Sequence, residues 1–307
     1  MTGPRRYEAS AGRLDAVLAQ VLDITRVEAQ RMIAQGQVRV DGRERPKSFR
    51  LQGGEVLDAD RAEGIDLPVE GPPVPIRYQD RYLLVVAKPA GLVTHPTATK
   101  RSGTLVNRLL GMDVPLSSAG GDALRPGIVH RLDAGTSGLL IVAKDDATHE
   151  AFGAMLKHHE IRRTYLTLVR GRVEHDRFAV DAPLGRHGSR VTIRSFTGRE
   201  AETGFVALER FERATFLEAT PKTGRTHQIR VHLSAIGHPI LGDARYGGGG
   251  DDAKALGLTR PFLHAWRLAF EHPITGERVE VEEPLPEDLT SGLDRLGPGR
   301  PEPPAQT

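Results

Sequence analysis

The chain has 307 residues, of which 38% are hydrophobic, and this allows one large domain or a large domain with a small one. No stretch reaches the roughly 20 apolar residues that a membrane-spanning helix needs, and the polar start MTGPRRYEAS does not resemble an export signal. Because there is no cysteine, disulfides, thiolate nucleophiles and thiolate-bound zinc are excluded, and a cytoplasmic location is expected.

The net charge is only +2, but the charged residues are unevenly distributed. Residues 26–50 contain seven lysines and arginines against three acids, and residues 153–232 contain fifteen against nine. Residues 271–307 reverse this balance, with three against nine. The basic segments favour a phosphate-backbone partner, because each neutralised phosphate releases bound counterions. A solvated surface of mixed charge is the alternative.

Residues 10–60 predict a small unit of two short helices followed by short strands. Apolar residues recur at helical spacing over 14–22 and 29–33, and Gly36 is placed to end the second helix. Residues 37–40 then alternate as in a strand, and Asp41-Gly42 is a hairpin turn signal. The pattern resembles the small RNA-binding module named after a ribosomal small-subunit protein. The resemblance implies an RNA-binding face formed by Arg26, Arg31, Arg39, Arg43 and Lys47.

A linker rich in proline and glycine, RAEGIDLPVEGPPVPIRYQD, follows this module. We therefore predict a small RNA-binding domain with its linker at 1–70, a larger domain at 71–290 and a disordered tail at 291–307. The larger domain has two buried-type strands, in YLLVVAKPAGLVTHP and GLLIVAKDD, a helix-compatible segment at 146–159, and a run of later strands. Helices and strands do not alternate strictly, which predicts an α+β fold with a mixed, largely antiparallel sheet.

One cluster of unusual residues lies in RPGIVHRLDAGTSGLLIVAK, where His130, Arg131 and Asp133 occupy a glycine-rich loop before an apolar strand. Loops held by rigid strands are frequent locations for catalytic groups. Taken alone, however, an aspartate in a loop is more often a turn or capping residue.

A second cluster lies in PKTGRTHQIRVHLSAIGHPILGD. Thr226 is the predicted N-cap of a helix that runs to Ile236, with Gly237 placed to stop it. Ile236 is expected to face the core, while Arg230 projects from another face together with His227. A surface arginine is the alternative reading of Arg230. The glycine run at 247–250 predicts a flexible loop, since no G-K-[ST] follows it.

Three segments, HRLDAGTSGLLIVAK, RRTYLTLVRG and TGRTHQIRVHLSAIGHPILGDARYG, resemble the main motifs of the RluA/RluD-type pseudouridine synthases in their order and separation. The flanking KPAGLVTHP and FLHAWRLAFEHPITGE extend the resemblance over residues 75–288. One departure is Ala134-Gly135, where the family commonly has a charged residue and an acid. The catalytic position itself is unaffected.

The resemblance implies an isomerase that breaks the uridine N1–C1′ bond, turns the base over and joins C5 to C1′ without a cofactor. It implies an essential aspartate at Asp133, an active-site tyrosine at Tyr165 and an arginine paired with the aspartate at Arg230. A carboxylate can act as a nucleophile or promote a glycal intermediate, and the sequence leaves these routes open. The target uridine must be flipped out of its helix. The substrate-binding candidates are His130, Arg131, Arg225 and His227.

Several alternatives are open at this level. The domain combination resembles enzymes acting on large-subunit ribosomal RNA, although related enzymes modify transfer RNA. An inactive RNA-binding or ribosome-assembly factor would share the N-terminal module, but the joint presence of the three catalytic candidates favours activity. A metal-dependent hydrolase is disfavoured because His227, His232 and His238 lack the spacing of H-E-x-x-H and no G-x-S-x-G is present. We expect a monomer with no metal and no membrane partner.

Overall fold

The computed structural model describes residues 5–22, 24, 26–34, 36–59, 67–97, 100–119, 124–194 and 196–297. Their contacts divide the chain into two compact units, one within Met1–Pro68 and Ser118–Pro126, the other within Val69–Ser117 and Gly127–Thr307. The sequence contained no signal that Ser118–Pro126 would group with the N-terminal residues. No helix in the described ranges has the length and apolar character that a membrane span needs.

The N-terminal unit has the two predicted helices and short strands around one apolar core. The first helix buries Leu14, Val17, Leu18 and Leu22, which recur at the spacing of one helical face. The first strand of this unit, which the sequence did not indicate, pairs antiparallel with the last strand of the unit. The elements are β1 (Arg5–Glu8), β2 (Gly12–Arg13), α1 (Leu14–Leu22), α2 (Arg26–Ala34), β3 (Val38–Val40), β4 (Arg50–Leu51) and β5 (Val56–Ala59).

The predicted turn after β3 is present. Asp41 and Gly42 have φ values of 49° and 74°, which are left-handed conformations that glycine and aspartate adopt more easily than most residues. The Asp41 side chain also accepts a hydrogen bond from Val56 N at 2.9 Å. This contact ties the turn to β5.

The larger unit is built on one nine-stranded sheet with helices packed against it. The strands of the sheet and its two-stranded hairpin are β6 (Ile76–Gln79), β7 (Leu83–Lys88), β8 (Ser137–Ala143), β9 (Arg162–Arg170), β10 (Arg177–Asp181), β11 (Leu184–His187), β12 (Arg190–Ile193), β13 (Glu202–Arg210), β14 (Ala214–Pro221), β15 (Leu263–Glu271) and β16 (Arg278–Glu282). The helices are α3 (Leu105–Leu110), α4 (Asp146–Lys157), α5 (Gln228–Ala235), α6 (Asp251–Ala255) and α7 (Glu287–Asp294), with a 3₁₀ turn at Ala244–Tyr246.

The strand order in the main sheet is β10-β13-β14-β9-β15-β8-β7-β6, with β16 added beside β15. Every pairing is antiparallel except the one between β15 and β8, which is parallel. The α+β fold with a mixed, largely antiparallel sheet is thus confirmed. Strands β7 and β8 are buried along their whole length, which explains their continuous apolar sequences.

Helix α5 departs from the prediction at both ends. Its N-cap is His227, not Thr226. Gln228 is the first residue of the helix, and its Oε1 accepts hydrogen bonds from Arg225 N at 3.0 Å and from Thr223 Oγ1 at 2.6 Å, which ties the preceding turn to the helix. At the other end Ile236 is 40% exposed and does not join the core. The chain turns away there, one residue after the helix ends.

The glycine run at 247–250 is packed, contrary to the expected flexible loop. Arg170 donates to Gly247 O at 2.9 Å and to Gly249 O at 2.7 Å. A Cβ atom on Gly248 would lie 1.6 Å from Ile240 O, so the chain passes too close for any side chain. Close backbone approach explains Gly248, whereas Gly247 and Gly250 adopt positive φ values of 94° and 97° that favour glycine.

The predicted tail also begins too early. Helix α7 continues to Asp294, past the predicted start at residue 291. Leu289 is fully buried, and Gly292 is buried so closely that an added Cβ would lie 3.0 Å from Leu258. This apolar contact holds the last helix against the unit. Residues 298–307 of the predicted tail lie outside the described residues.

Candidate active site

The loop that carries Asp133 is held from both sides by the segment after β7. Thr94 Oγ1 donates to Leu132 O at 2.7 Å and accepts from Leu132 N at 3.3 Å. On the other side of Asp133, Gly91 N donates to Ala134 O at 2.8 Å. The two residues that flank the aspartate are therefore fixed, which fixes the direction of its side chain.

A buried lysine underlies this arrangement. Lys88 is 1% exposed, and its Nζ donates to Pro89 O at 2.9 Å, Leu92 O at 2.8 Å and Ala134 O at 3.4 Å. Burial lowers the pKa of Lys88 to about 7, although the negative charge of Asp133 acts in the opposite direction. Three carbonyl acceptors match the three N–H groups of an ammonium ion. Lys88 therefore links the segment after β7 to the loop.

Arg230 on α5 reaches Asp133 across the site. Its NH1 donates to Asp133 Oδ2 at 2.9 Å. The rest of the guanidinium binds a second, buried acid, with Nε to Asp243 Oδ2 at 2.6 Å and NH2 to Asp243 Oδ1 at 2.9 Å. Burial alone would lower the pKa of Arg230, but Asp243 and Asp133 outweigh it and raise that pKa above its ordinary value. The structure thus brings together the predicted acid and arginine.

His227 and Tyr246 complete this side of the site. His227 Nδ1 lies 2.8 Å from the Tyr246 hydroxyl, and its Nε2 lies 3.8 Å from Asp133 Oδ2. The Tyr246 ring also lies under the Arg230 guanidinium, 5.0 Å from ring centroid to Cζ, as in a cation–π contact. One tyrosine therefore contacts two of the predicted site residues.

These side chains open onto a pocket of about 330 Å³. This volume falls in the range of small-molecule sites. Four predicted site residues line it: Arg131, Asp133, His227 and Arg230. The other lining residues are Val93, Thr94, Leu132, Ala134, Gly135, Thr136 and Pro261.

Tyr165 lies on β9, in register with Ala219 and Ala265 of the neighbouring strands. It is 8% exposed and is not among the residues that line the pocket. Burial raises the pKa of its phenol; the positive charge of Arg163 opposes this, and the charge of Asp133 adds to it. The Tyr165 phenol therefore interacts electrostatically with Asp133 and is protonated at neutral pH.

Two predicted substrate-binding residues make other contacts. His130 Nε2 accepts a hydrogen bond from Ile141 N at 3.0 Å, so the ring braces the loop against β8. Burial, assisted by Arg163, lowers the pKa of His130 to about 3, so the ring is neutral. Arg225 is exposed, and its Nε donates to Glu200 O at 3.0 Å outside the pocket. Neither side chain lines the pocket.

The N-terminal unit places several predicted RNA-binding residues on its surface. Arg39, Arg43 and Lys47 are exposed, and Lys47 donates to Gln30 Oε1 at 3.2 Å. The side chain of Arg31 lies outside the described residues.

Arg26 differs from these three, because it binds a buried acid. Asp15 is fully buried and receives hydrogen bonds from Arg13 at 3.1 and 3.2 Å, from Arg26 at 3.2 Å twice and from Gln30 at 2.7 Å. The Arg13 hydrogen bonds first, and then those of Arg26 and Gln30, hold the pKa of Asp15 well below its usual range despite burial. Part of the hydrogen-bonding capacity of Arg26 is therefore used inside the unit.

The histidines of the hydrolase alternative do not converge. His232 binds Thr203 Oγ1 at 3.0 Å and Ala182 O at 3.1 Å, whereas His238 binds Arg170 O at 3.0 Å. Within the described ranges, no group of three or more His, Asp or Glu side chains is arranged to hold a metal ion.

Comparison with known proteins supplies the family. The sequence profile described as RNA pseudouridylate synthase matches residues 82–235, and the S4 domain profile matches residues 12–57. The chain belongs to the RNA pseudouridylate synthase family. It is accordingly a pseudouridine synthase with an N-terminal S4 domain, and both resemblances seen in the sequence are confirmed.

Two curated relatives illustrate the similarity. An RNA pseudouridine synthase of Bacillus subtilis, YlyB, is 40% identical over 94% of this chain and 95% of its own length. The ribosomal large subunit pseudouridine synthase D of Nitrosomonas europaea is 39% identical over 92% of this chain and 84% of its own length. Similarity at this coverage includes both units of the chain.

A solved structure agrees with the fold of the catalytic domain. Human RNA pseudouridylate synthase domain containing 1 matches with a TM-score of 0.57 and 28% identity, covering 76% of this chain and 91% of that one.

Sequence reasoning missed three residues of this pseudouridine synthase site: Lys88, Asp243 and Tyr246. Each lay in a segment that had been noted, Lys88 in KPAGLVTHP and the other two in GDARYG. A lysine directly after a continuous apolar strand was a usable signal, since lysine is almost never fully buried without partners. Nothing in the sequence showed that Asp243 would bind Arg230 thirteen positions earlier.

Proposed function

We propose that this enzyme converts uridine to pseudouridine in large-subunit ribosomal RNA, with Asp133 as its catalytic carboxylate. The observation that carries the proposal is the position of Asp133 on the pocket wall, with Oδ2 bound to Arg230 at 2.9 Å and its side chain still 19% exposed. A carboxylate in this setting is directed toward a bound nucleoside while a cation stabilises its charge.

The reaction needs an acid–base or nucleophilic group beside C1′, and Asp133 supplies it. Either direct attack of the carboxylate or removal of a sugar proton releases the base from C1′. Arg230 remains in place during these charge changes because Asp243 holds its other two nitrogens. The base then turns over and bonds through C5.

Tyr165 and Arg131 receive supporting roles in this proposal. Tyr165 lies outside the residues that line the pocket, and its charge interaction with Asp133 supports the carboxylate. Arg131 is exposed and lines the pocket, so it can bind the phosphate of the flipped nucleotide or occupy the space that the base vacates.

The ribosomal target rests on two observations. Relatives of Nitrosomonas europaea and Xanthomonas campestris, 39% and 38% identical to this chain, are named ribosomal large subunit pseudouridine synthase D. The S4 domain adds a second surface with exposed cations, which suits a large folded RNA. Ribosomal RNA is cytoplasmic in bacteria, and the proposal places the enzyme there.

The test is pseudouridine mapping by carbodiimide-dependent reverse-transcription stops on total RNA from a strain that lacks the gene. The deletion strain is complemented with the wild type or with Asp133→Asn. Stops in large-subunit ribosomal RNA should vanish in the deletion and return only with the wild type. Stops lost only from transfer RNA would overturn the proposed target, and stops restored by Asp133→Asn would overturn the role of the carboxylate.

A further inference from the structure

His227 is held in a conformation that non-glycine residues adopt rarely. It is the N-cap of α5 with φ 56° and ψ 20°, and its side chain makes no capping hydrogen bond. A left-handed residue of this kind carries backbone strain, and such strain concentrates at functional sites. The conformation directs the imidazole into the pocket and away from the helix end.

The orientation of the ring is fixed from behind. Nδ1 contacts the Tyr246 hydroxyl at 2.8 Å, and the opposite nitrogen, Nε2, lies 3.8 Å from Asp133 Oδ2. If Nδ1–H donates to Tyr246, Nε2 carries the lone pair and presents it to the centre of the site. That distance to Asp133 is too long for a hydrogen bond, so Nε2 can take a proton from substrate.

The chemistry requires a proton acceptor at this place. When C5 has bonded to C1′, it still carries its hydrogen, and C1′ reacts beside Asp133. The acceptor must therefore lie within reach of Asp133. Among the described residues that line the pocket, the arginines cannot accept a proton and the threonine hydroxyls are poor bases. Asp133 and His227 remain, and in the proposed function Asp133 is already engaged at C1′.

The charges around His227 keep its imidazole available as a base. Burial is the largest influence and lowers the pKa of His227; Asp133 and Asp243 oppose this, while Arg230 and Arg245 add to it. Because the pKa of His227 is lowered from its ordinary value of about 6.5, the ring is neutral at pH 7. Tyr165 is the competing candidate, but it does not line the pocket, and burial raises the pKa of its phenol, which keeps its proton.

We propose that His227 is a second catalytic residue, whose Nε2 takes the C5 proton after the new carbon–carbon bond has formed, with Tyr246 as its positioning residue. The electron pair of the C5–H bond forms the C5–C6 double bond, the N1–C6 π pair moves to N1, and N1 takes a proton from water. The imidazolium then returns its proton to solvent. This inference rests on the proposed function, since it places C1′ beside Asp133.

The test uses full-length enzyme and RNA substrate carrying either hydrogen or deuterium at C5 of the target uridine, compared in single turnovers. The wild type should show little dependence on the isotope, because His227 removes the proton quickly. His227→Gln should lower the rate on the order of 100-fold and make it clearly slower with deuterium, since proton loss becomes limiting. A purely structural role would lower the rate without creating an isotope effect.

Tyr246→Phe keeps the ring against Arg230 and removes only the hydroxyl. It should lower the rate by about 3- to 10-fold, as expected for one lost hydrogen bond, and show a smaller isotope effect. This variant also serves if His227→Gln does not fold, as judged by circular dichroism. Absence of an isotope effect in Tyr246→Phe and in any folded His227 variant would overturn the proposal.

Tyr165→Phe separates the two candidate bases. It should slow the reaction without an isotope effect; an effect there and not in His227→Gln would make Tyr165 the base and overturn the proposal. The proposed function fails separately, if the wild type forms no pseudouridine in ribosomal RNA.

Discussion

Two carboxylates, Asp15 in the N-terminal unit and Asp133 in the catalytic unit, each receive hydrogen bonds from arginine, yet their surroundings differ. Asp15 is fully buried and accepts five hydrogen bonds from Arg13, Arg26 and Gln30. Asp133 is partly exposed in a pocket and accepts one, from Arg230. A carboxylate has about four lone-pair directions, so Asp15 has no capacity left for a substrate and Asp133 does.

In the catalytic unit it is the arginine, Arg230, whose hydrogen-bonding groups are occupied by protein partners. Arg230 is 8% exposed and is held at three nitrogens, two of them by buried Asp243. In the N-terminal unit the arginines are half exposed and the acid is saturated. Under the proposed role of Asp133, an ion pair alone does not distinguish a structural site from a catalytic one. The member that retains free acceptor or donor atoms indicates the function.

The largest effect is expected from Asp133→Asn. The amide keeps the shape and can still accept from Arg230, but it loses the charge and the nucleophilic oxygen, so activity should fall by about 10⁴-fold or more. Tritium release from 5-tritiated-uridine RNA measures the rate. The melting temperature should stay close to that of the wild type, and residual activity within tenfold of wild type would contradict the role of Asp133.

Arg230→Lys should rank second. Lysine keeps the positive charge but cannot bind Asp243 through two nitrogens and reach Asp133 with a third. The rate should fall by about 10²- to 10³-fold, as when one preorganised donor is removed. Denaturant titration should show a loss of about 2 kcal/mol, because Asp243 loses a charged hydrogen bond. An unchanged rate would show that charge alone, without the fork geometry, is sufficient.

Asp15→Asn should lower the stability of the protein and leave kcat unchanged. We expect a loss of about 2 kcal/mol at pH 7 by denaturant titration, since charged hydrogen bonds are replaced by neutral ones. The lowered pKa of Asp15 contributes stability above the unfolded value of about 3.9, and this contribution is lost as the pH falls below it. The stability curves of variant and wild type should therefore converge toward low pH.

The smallest effect is expected from Arg39→Ala, which removes one exposed cation from the N-terminal unit. If Arg39 contacts phosphate, KM should rise by about 3-fold, and the slope of log affinity against log salt should fall by about 1. Arg6→Ala is the matched control, because Arg6 is exposed in the same unit but paired with Asp58 at 3.0 Å. Equal slopes for both variants would remove Arg39 from the RNA-binding surface.

Much of the fold followed from local pattern. The apolar spacing in α1, the continuous apolar strands β7 and β8 and the Asp41-Gly42 turn each depend on neighbouring residues, and all were predicted. The N-cap of α5 was not, because His227 takes this position in a left-handed conformation and makes no capping hydrogen bond. The partner of Arg230 was also invisible, since Asp243 reaches it only when the chain folds back after α5.

The residues of the candidate site also fall into those that the sequence could predict and those that it could not. Asp133 and Arg230 could be selected because motifs mark them, and the structure brings them within hydrogen-bonding distance. The contacts of His130 and Arg225 with backbone groups depend on the packing of β8 and on the chain near residue 200, which no motif encodes. Their assignment to substrate binding therefore exceeded what residue type alone can support.

The loop around Asp133 is held largely through main-chain atoms, and this bears on how the site can diverge between relatives. Gly91 N and Lys88 Nζ bind the carbonyl of Ala134, so these contacts do not depend on which side chain stands at position 134. Position 135 is more constrained, because an added Cβ would lie 3.1 Å from Pro261. We expect larger residues at 135 to co-vary with 261, whereas 134 varies independently, so the departure at Ala134-Gly135 leaves the geometry of Asp133 intact.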